Sequence, residues 1–537
     1  MQIKIFLAGI IILGLVVYGR ILGNGFVGDD PGYINHPYVQ NFQLTKLFTG
    51  SSTDLGGNSP ITGYFYRPVM LVVLAQVFQI SGDSPWLYHL IQLGLHMTNT
   101  ILVYMLLVQF MPKKSAQIAS LIFLVHPINT ETVAYISNLQ DVLFVLFGLT
   151  ALNLTVRKKA ALTITLMLFL ALLAKETGVM FLACSLLYIW YTKQKDLQIW
   201  IFRILGVITS YLFLRLVIAG IGVGGLQKTV MGSLTLGERA VHIPKIILYY
   251  LQTMVWPGTL AVGQTWTIKP DLYTFYIPLG IVIILMIFVI LNIKSKAIVF
   301  FLIWLGLGIA LHLQIIPLEM TVADRWWYFP IIGCLGLAGS VLPKRIVLAM
   351  AVIIPILAIR TWIRTGDFKD AMTLYKHDAE ITESYLLEQA YGYELMQKNE
   401  LNEAKIHLDK SIKLFENTTN TNSLGVVYFR QKDIDGAIGW FEKSIHLGDN
   451  FQAYNNLARL LMAHKSPNEA VVIITSGTEK FPQSDNFWFL LALAEYKRGN
   501  EGEALAAAQK AVAISPSGQN VYVLRELQGG REIKIND

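Results

Sequence analysis

The chain has 537 residues, of which 54% are hydrophobic and 15% are charged, and its mean hydropathy is +0.50. Soluble domains carry about 25% charged residues, so we expect most of this chain to lie in a lipid bilayer. The net charge of +7 does not indicate nucleic-acid binding, because the basic residues fall mostly in short clusters between apolar segments, as in the cytoplasmic loops of membrane proteins.

The first 364 residues consist mainly of apolar runs of about 18 or more residues, each long enough to cross roughly 30 Å of hydrocarbon. The first run has no small-residue cleavage site before the acidic loop that follows, which predicts a retained membrane anchor. Together with a cytoplasmic N-terminus, the charge distribution predicts about eleven spans, at roughly 5–23, 86–111, 115–128, 139–156, 160–174, 177–191, 197–219, 273–292, 297–317, 329–342 and 346–363. Segment 243–257 fits only on the outer surface or as a re-entrant segment.

The orientation follows from basic clusters, which face the cytoplasm in membrane proteins. The clusters are Lys113 with Lys114, Arg157 with Lys158 and Lys159, Lys193 with Lys195, Lys294 with Lys296, and Lys344 with Arg345. The first outer loop, about 24–85, and everything after residue 364 are then extracytoplasmic. The absence of an obvious eukaryotic retention tail favours a bacterial or archaeal plasma membrane.

Charged residues outside these clusters gather at the predicted outer ends of the spans. A charge at the bilayer centre costs roughly 2.5–3.5 kcal/mol, so a charged residue close to a span requires a structural or functional explanation. They include Asp29 and Asp30 in "FVGDDPG", Arg67 in "YFYRPVM", His126, Glu131 and Asp141 in "HPINTETVAYISNLQDVL", Lys175 and Glu176 in "AKETGVM", and Asp324 and Arg325 in "TVADRWWYFP". Salt bridges between helix ends could explain the pairs Lys175–Glu176 and Asp324–Arg325. Because these residues lie at one face of the predicted membrane domain, a binding or catalytic site is the favoured interpretation.

Such a site suits a lipid-linked phosphosugar, whose tail lies in the bilayer and whose phosphate lies at the outer surface. Cations such as Arg67, Lys175 and Arg325 could hold the phosphate and stabilise its growing charge as it leaves. A carboxylate could take the proton from an incoming hydroxyl, a role typically worth about 10²–10⁴-fold in rate. Attack opposite the leaving phosphate would invert the anomeric centre.

The C-terminal part, residues 365–537, contains a repeat. Small residues recur in three sets at steps of 33, 33 and 34 residues: Gly392, Gly425, Ala458 and Ala492, then Ala404, Ala437, Ala470 and Ala504, then Ser411, Ser444, Gly477 and Ala511, with Pro482 and Pro516 closing the last two units. This is the tetratricopeptide pattern of about 34 residues per unit, and such arrays form solenoids that bind extended peptides. The alternative is a spacer or dimerisation arm.

The order of these motifs resembles one family over nearly the whole chain. The "FVxDD" loop, "YRP", "SPWLYHLIQLGLHMTNTILVY", "HPINTETVAYI", "AKETGV", "ADRWWYFP" and the repeats are similar to the transmembrane and tetratricopeptide-repeat O-mannosyltransferases, within the GT-C glycosyltransferases. The predicted fold is therefore all-α, a GT-C-like polytopic membrane bundle (1–364) followed by a tetratricopeptide α-solenoid (365–537).

The resemblance implies transfer of a sugar, mannose in the family, from a polyprenyl phosphate to Ser or Thr hydroxyls of a protein acceptor. It also implies that Asp29 is the catalytic base, while Asp30 orients a substrate or holds the loop. Substrate-binding positions would be Arg67, His126, Glu131, Lys175, Glu176, Asp324 and Arg325, with their individual roles open. The chain departs from the family at Asn138 and Gln140, where a basic residue is frequent, and in having only four repeats.

Neither a cofactor nor a metal is expected. His126, Glu131 and Asp141 match no standard ligand spacing, His89 and His96 share one helical face as packing residues would, and Cys184 and Cys334 lie in apolar stretches. Two other functions remain open. The enzyme could glycosylate a lipid or surface glycan, or the protein could be a non-enzymatic scaffold for secretion or pilus assembly.

Overall fold

A computed structural model describes residues 2–52, 65–158, 160–192, 197–222, 229–293 and 295–534. The chain divides into two compact units, and the first ends at Leu387 where the second begins at Glu388. The described residues contain helices and one isolated β-bridge, between Gln264 and Val322, but no strand. The all-α prediction is confirmed. Four of the lysines used to predict orientation, Lys159, Lys193, Lys195 and Lys294, lie outside the described residues.

The first unit is built from α-helices of very different lengths. They are α1 (Gln2–Tyr18), α2 (Asp30–Ile34), α3 (Pro37–Gln40), α4 (Leu44–Thr49), α5 (Pro68–Ser81), α6 (Trp86–Leu107), α7 (Lys113–Val125), α8 (Thr130–Ala134), α9 (Leu139–Val156), α10 (Ala161–Ala174), α11 (Val179–Tyr191), α12 (Leu197–Leu212), α13 (Leu236–Val255), α14 (Ile277–Leu291), α15 (Lys296–Ala310), α16 (Pro330–Val341), α17 (Lys344–Ala349), α18 (Ile353–Asp367) and α19 (Ala371–Ile381). Short 3-10 turns lie at Gly19–Gly23, Pro127–Asn129, Ile136–Asn138, Glu176–Gly178, Asp324–Trp327 and Met350–Val352, and π-turns at Phe213–Ile218 and Leu272–Tyr276.

Several of these helices fit a membrane protein. Among the described residues, six helical segments are long and apolar enough to cross a bilayer: Ile3–Gly23, Trp86–Leu107, Ile136–Val156, Leu197–Ile218, Leu272–Leu291 and Lys344–Asp367. Shorter apolar helices are Pro68–Ser81, Ala161–Ala174, Glu176–Trp190, Lys296–Ala310 and Pro330–Val341. The count of about eleven spans stays a prediction.

Helix α5 has no counterpart in the sequence analysis, which left 24–85 as a loop. Its 14 residues begin with Pro68 at the first position, where the missing N–H costs no hydrogen bond. The apolar side chains of Met70 and Leu74 are fully buried, so the helix packs as part of the bundle. Segment 243–257 lies mostly in α13, a 20-residue helix that has Pro244 in its interior and begins with a capping box of Thr235 and Glu238.

The core of the first unit depends on aromatic rings that fill gaps left by small residues. The rings of Trp304 and Phe329 are stacked with centroids 4.8 Å apart, and Phe181 meets both rings edge-on. A Cβ on Gly148 would lie 2.0 Å from the Phe181 ring. Helices α9 and α11 therefore approach closely only because residue 148 has no side chain.

The second unit consists of antiparallel helix pairs, as the repeat predicts. The helices are α20 (Tyr385–Gln397), α21 (Leu401–Leu414), α22 (Thr418–Arg430), α23 (Ile434–Leu447), α24 (Phe451–His464), α25 (Pro467–Lys480), α26 (Asp485–Lys497), α27 (Glu501–Ile514) and α28 (Gly518–Gln528). The predicted small residues lie at the contacts between paired helices. For example, Ala404, Ala437, Ala470 and Ala504 are fully buried.

The turns inside the helix pairs use a left-handed backbone at equivalent positions. Asn399 (φ 62°), Lys432 (φ 67°) and Gly499 (φ 81°) adopt it, whereas Lys465, at the equivalent place, has φ −122°. A left-handed residue with a Cβ is disfavoured by about 1–2 kcal/mol.

We therefore expect Lys432→Gly to stabilise its repeat by about 0.5–1 kcal/mol, since glycine removes the steric cost but adds some unfolded-state entropy. Hydrogen–deuterium exchange of the full chain should show slower exchange in α22 and α23. Lys465→Gly is the matched control and should bring no gain. Equal effects of the two variants would contradict this explanation.

Candidate functional site

Four helices of the first unit have basic residues at one end and, at the other, a polar residue that the sequence analysis places at the outer end of a span. Lys113 begins α7, Arg157 and Lys158 follow α9 and precede α10, and Lys344 follows α16. At the opposite ends lie His126 after α7, Asp141 in the first turn of α9, Lys175 after α10 and Arg325 before α16. The predicted site residues thus meet at one end of these helices.

Asp30 holds the first loop against the turn between α8 and α9. Its carboxylate is fully buried and accepts three hydrogen bonds, from the Ser137 N–H (2.7 Å), the Ser137 hydroxyl (2.6 Å) and the Val27 N–H (3.1 Å). Burial raises the pKa of Asp30 to about 7, although these hydrogen bonds oppose the rise. Both carboxylate oxygens therefore serve the loop.

Asp29, by contrast, is exposed, and among the described residues its carboxylate has no hydrogen-bond or ion-pair partner. Its position is nevertheless fixed, because its main-chain N–H donates to the Tyr135 hydroxyl at 2.7 Å. The preceding Gly28 has φ +51°, and a Cβ there would lie 2.2 Å from the same hydroxyl oxygen. Glycine is therefore required next to Asp29.

Arg67 and Glu176 form the first of three ion pairs. The Arg67 Nε lies 3.2 Å from Glu176 Oε2, and the guanidinium stacks 4.1 Å from the centre of the Phe65 ring. The Tyr66 N–H also donates to Glu176, at 3.3 Å. The Arg67 terminal nitrogens make no hydrogen bond among the described residues.

The other two ion pairs join distant parts of the chain. The Lys175 ammonium lies 2.6 Å from Asp141 Oδ1, and burial lowers the pKa of Lys175 while Asp141 opposes this. The Arg325 guanidinium pairs with Glu131 Oε1, and the Arg325 main-chain N–H donates to the other Glu131 oxygen at 3.0 Å. All four groups are buried or nearly so, so each charge is neutralised where it lies.

Tyr33, in α2, lies where these charges converge. Burial raises the pKa of its hydroxyl to about 12. Arg67 and Arg325 act to lower this pKa, and Asp29 and Glu176 act to raise it. The base predicted from the first loop thus shares one electrostatic environment with two of the predicted cations.

Two predicted site residues have their polar atoms engaged elsewhere. The His126 Nδ1 accepts from the Ile128 N–H and its Nε2 lies 3.2 Å from the Met254 carbonyl. Asp324 accepts a hydrogen bond from the Tyr249 hydroxyl at 2.9 Å, and burial, with the charge of Glu131, raises its pKa well above the ordinary value. Both residues hold main-chain segments and neighbouring side chains in place.

A small cavity of about 10 Å³, room for about one water molecule, lies beside two of the ion pairs. It is lined by Asp141, Phe144, Lys175, Thr177, Met180, His312, Arg325, Trp326 and Phe329. The buried Asp141 Oδ2 and Thr177 Oγ1 atoms have no hydrogen-bond partner. The sequence analysis noted Asp141 as a charge but did not select it, and it missed Thr177, His312 and Trp326. Thr177 and Trp326 lie within the motifs "AKETGVM" and "TVADRWWYFP", whereas His312 lies in neither.

The second unit contains a groove of about 410 Å³, lined by Val426, Phe429, Arg430, Phe441, Asn456, Arg459, Leu460, Ala463 and His464. Amides of successive repeats are hydrogen-bonded beside it. Asn456 donates to Asn422 at 3.1 Å and Asn486 to Asn455 at 2.9 Å. Arg459 donates to Asn455 and Asn486. The groove therefore combines apolar walls with a row of polar side chains.

No group of three or more His, Cys, Asp and Glu side chains that could hold a metal ion occurs within the described ranges.

Comparison with known proteins supports the resemblance drawn from the motifs. A tetratricopeptide-repeat family model matches residues 455–518. A Caenorhabditis elegans protein named protein O-mannosyl-transferase F38B6.6 is 25% identical over 391 residues, which cover 68% of this chain and 56% of the relative. The human protein O-mannosyl-transferases TMTC3 (28% identical, 34% of this chain and 22% of the relative) and TMTC1 (31%, 25% and 16%) also match.

The predicted resemblance to the transmembrane and tetratricopeptide-repeat O-mannosyltransferases is thus confirmed. The chain spans 56% of the length of the worm relative and 22% or less of the two human ones.

The buried Asp30 predicts a pH-dependent stability. Because the folded protein keeps Asp30 protonated to about pH 7 whereas the ordinary pKa is 3.8, the unfolded chain loses this proton first. The folded state therefore loses stability as the pH rises from about 4 to about 7. Relative to Asp30→Asn, the wild type should lose up to about 2–3 kcal/mol between pH 5 and pH 7, measured by unfolding of the full chain in detergent.

Asp29→Asn is the control for this measurement. Its carboxylate is exposed, so the difference in unfolding free energy between wild type and Asp29→Asn should change less with pH than the difference between wild type and Asp30→Asn. A difference between wild type and Asp30→Asn that stays constant from pH 5 to pH 7 would contradict the burial of an ionisable Asp30.

Proposed function

We propose that the protein is an integral-membrane inverting glycosyltransferase. It transfers a sugar, mannose by analogy with the relatives' names, from a polyprenyl phosphate to Ser or Thr hydroxyls of a protein. The observation that carries the proposal is the exposed, unpartnered carboxylate of Asp29, fixed by its main-chain hydrogen bond to Tyr135 and close enough to Arg67 and Arg325 that all three charges act on Tyr33.

In the proposed reaction, Asp29 accepts the proton of the acceptor hydroxyl as that oxygen attacks the anomeric carbon. The bond from this carbon to the phosphate oxygen breaks, and its electron pair leaves with the polyprenyl phosphate. The sugar becomes oxocarbenium-like, so negative charge grows on the leaving phosphate. Cations positioned beforehand stabilise that charge without reorganising during the step.

Arg67 and Arg325 suit the role of phosphate-binding cations. Each is held by one carboxylate, Glu176 or Glu131 respectively, which fixes the guanidinium without using all five of its N–H donors. The remaining donors of a held guanidinium can bind phosphate oxygens. Lys175 is buried against Asp141 and would add its positive charge to theirs.

We further propose that this site faces the extracytoplasmic side of a bacterial or archaeal plasma membrane. The basic residues at the opposite ends of α7, α9 and α16 support this orientation, because cytoplasmic loops carry an excess of Lys and Arg. The C-terminal repeats would lie on the same side as the site.

The repeats are proposed to bind the protein acceptor. Extended peptides expose main-chain amides, and the side chains of Asn456 and Arg459 beside the groove can hydrogen-bond such groups. The competing proposal, a lipid or surface-glycan acceptor, would leave the groove for a separate partner. A scaffold without enzymatic activity would leave the unpaired Asp29 without a role.

Asp29→Asn should lower kcat for transfer by at least about 100-fold, because the amide cannot accept the proton. The KM for the donor should change little, since Asp29 acts in the chemical step. The assay is transfer from a polyprenyl-phosphate mannose to a Ser- and Thr-containing protein by the full chain in detergent or vesicles.

Asp83→Asn is the matched control. Asp83 is an exposed carboxylate between α5 and α6, and we expect it to leave kcat unchanged. Normal turnover by Asp29→Asn would remove Asp29 as the base. An active wild type would still exclude the scaffold function.

Arg459→Ala should raise the KM for a protein acceptor by about tenfold, an effect typical of removing a central interface arginine. It should leave kcat for a short Ser-containing peptide unchanged, because the peptide need not occupy the groove. Arg531→Ala, an arginine with a mostly exposed side chain outside this groove, is the control. Unchanged use of the protein acceptor by Arg459→Ala would favour the lipid or glycan acceptor.

A further inference from the structure

We propose that Asp141 and Thr177 form a subsite that binds a hydroxyl group on the sugar of the lipid-linked donor. The inference rests on the proposed function, because it assigns a part of the same substrate to a particular cavity. It concerns residues that do not belong to the predicted site.

The subsite is defined by two buried oxygen atoms that lack partners. Asp141 is 2% exposed, and its Oδ1 is bound to the Lys175 ammonium at 2.6 Å. Its Oδ2 and the Thr177 Oγ1 are both buried without a hydrogen bond, and both residues line the small cavity. Leaving a buried polar atom unsatisfied is costly, so a ligand atom is expected opposite each one.

The chemistry of these two atoms selects a hydroxyl. An ionised carboxylate oxygen only accepts hydrogen bonds, so its partner must donate, which excludes the acceptor oxygens of an ionised phosphate. A metal cation is disfavoured because the Lys175 ammonium already occupies the other carboxylate oxygen and Arg325 lines the same cavity. A sugar hydroxyl can donate to Asp141 and accept from Thr177 at once.

The cavity walls fit the same ligand. The rings of Trp326 and His312 are stacked with centroids 4.9 Å apart, and Phe144 lines the cavity from α9. A binding site of this kind combines apolar and aromatic walls with a few placed polar atoms that fix the orientation of the ligand. The small volume admits a single hydroxyl group and excludes the polyprenyl chain.

Lys175 then acts as a positioning residue. Its ammonium holds Asp141 Oδ1 at 2.6 Å, which leaves the second carboxylate oxygen without a partner. Arg325 lines the same cavity and is one of the two proposed phosphate-binding cations, so a sugar held by Asp141 would lie next to a phosphate held by Arg325. That arrangement matches a sugar phosphate, in which a single oxygen atom joins the anomeric carbon of the sugar to the phosphorus.

The test measures binding and transfer with a short-chain polyprenyl-phosphate mannose and its 2-, 3-, 4- and 6-deoxy analogues, using the full chain. The wild type should bind one deoxy analogue about 10- to 100-fold more weakly than the intact donor, because a hydrogen bond to a buried carboxylate is lost. Thr177→Val should reduce the ratio of the two dissociation constants for that deoxy analogue. It should leave the ratios for the other three analogues unchanged.

Asp141→Asn alone would leave Lys175 buried and unpaired, which can prevent folding. The informative variant therefore combines Asp141→Asn with Lys175→Met, which removes both charges, and it should abolish the discrimination at that single position. Thr165→Val, a change of the same kind within α10 where the hydroxyl bonds the Ala161 carbonyl, is the matched control and should keep the wild-type profile.

The outcomes separate this inference from the proposed function. Binding with the expected deoxy profile but no transfer to protein would overturn the proposed function and keep the subsite. Transfer with a deoxy profile that neither variant alters would overturn the subsite, since the two oxygens would then hold only water. No binding of any of these probes would also overturn the subsite.

Discussion

The structure of the first unit depends on a constraint of protein interiors, where a buried charge needs a partner. Breaking a buried ion pair by removing one member costs about 3–5 kcal/mol. Three pairs meet this constraint at one end of the helices, Arg67–Glu176, Lys175–Asp141 and Arg325–Glu131. The last joins residues 194 positions apart. Each pair binds a helix end or turn to another, so the pairs bring the polar ends together as well as neutralising them.

Because most of the buried charges are paired, an acidic oxygen without a partner indicates a position where a substrate can bind. Within the described parts of this cluster, the acidic oxygens without a partner include the exposed Asp29 carboxylate and the buried Asp141 Oδ2. Asp30 accepts hydrogen bonds at both oxygens, so its burial is compensated by the loop that it holds. The two adjacent aspartates, which in the sequence only the family resemblance distinguishes, differ in the structure because Asp30 alone reaches Ser137. The Asp29 carboxylate and the Asp141 Oδ2 atom are therefore available to a substrate.

Much of this organisation could be predicted from the sequence, because it depends on local patterns. Apolar runs indicate the long helices, the 33- and 34-residue spacing of small residues indicates the repeats, and charge clusters place the polar residues at common helix ends. Helix α5 was assigned to the first outer loop because Gln76, Gln79 and Ser81 interrupt its apolar run. Ion pairs between residues that lie 34 to 194 positions apart leave no local pattern in the sequence. His126 was selected for its chemistry, but its two nitrogens bond the main chain, which only the folded backbone reveals.

The different surroundings of Asp29 and Asp141 fit different tasks. A general base must receive a proton in one step and release it to solvent before the next, which requires an exposed carboxylate without a fixed cation. Asp29 meets that condition. Asp141 does not, because its Oδ1 is held by the Lys175 ammonium at 2.6 Å and its side chain is 3% exposed. A carboxylate that is held by one fixed cation and kept out of water is suited to accept a hydrogen bond from a substrate hydroxyl and keep it. If both assignments hold, the proton moves at the exposed carboxylate and the buried one orients the sugar.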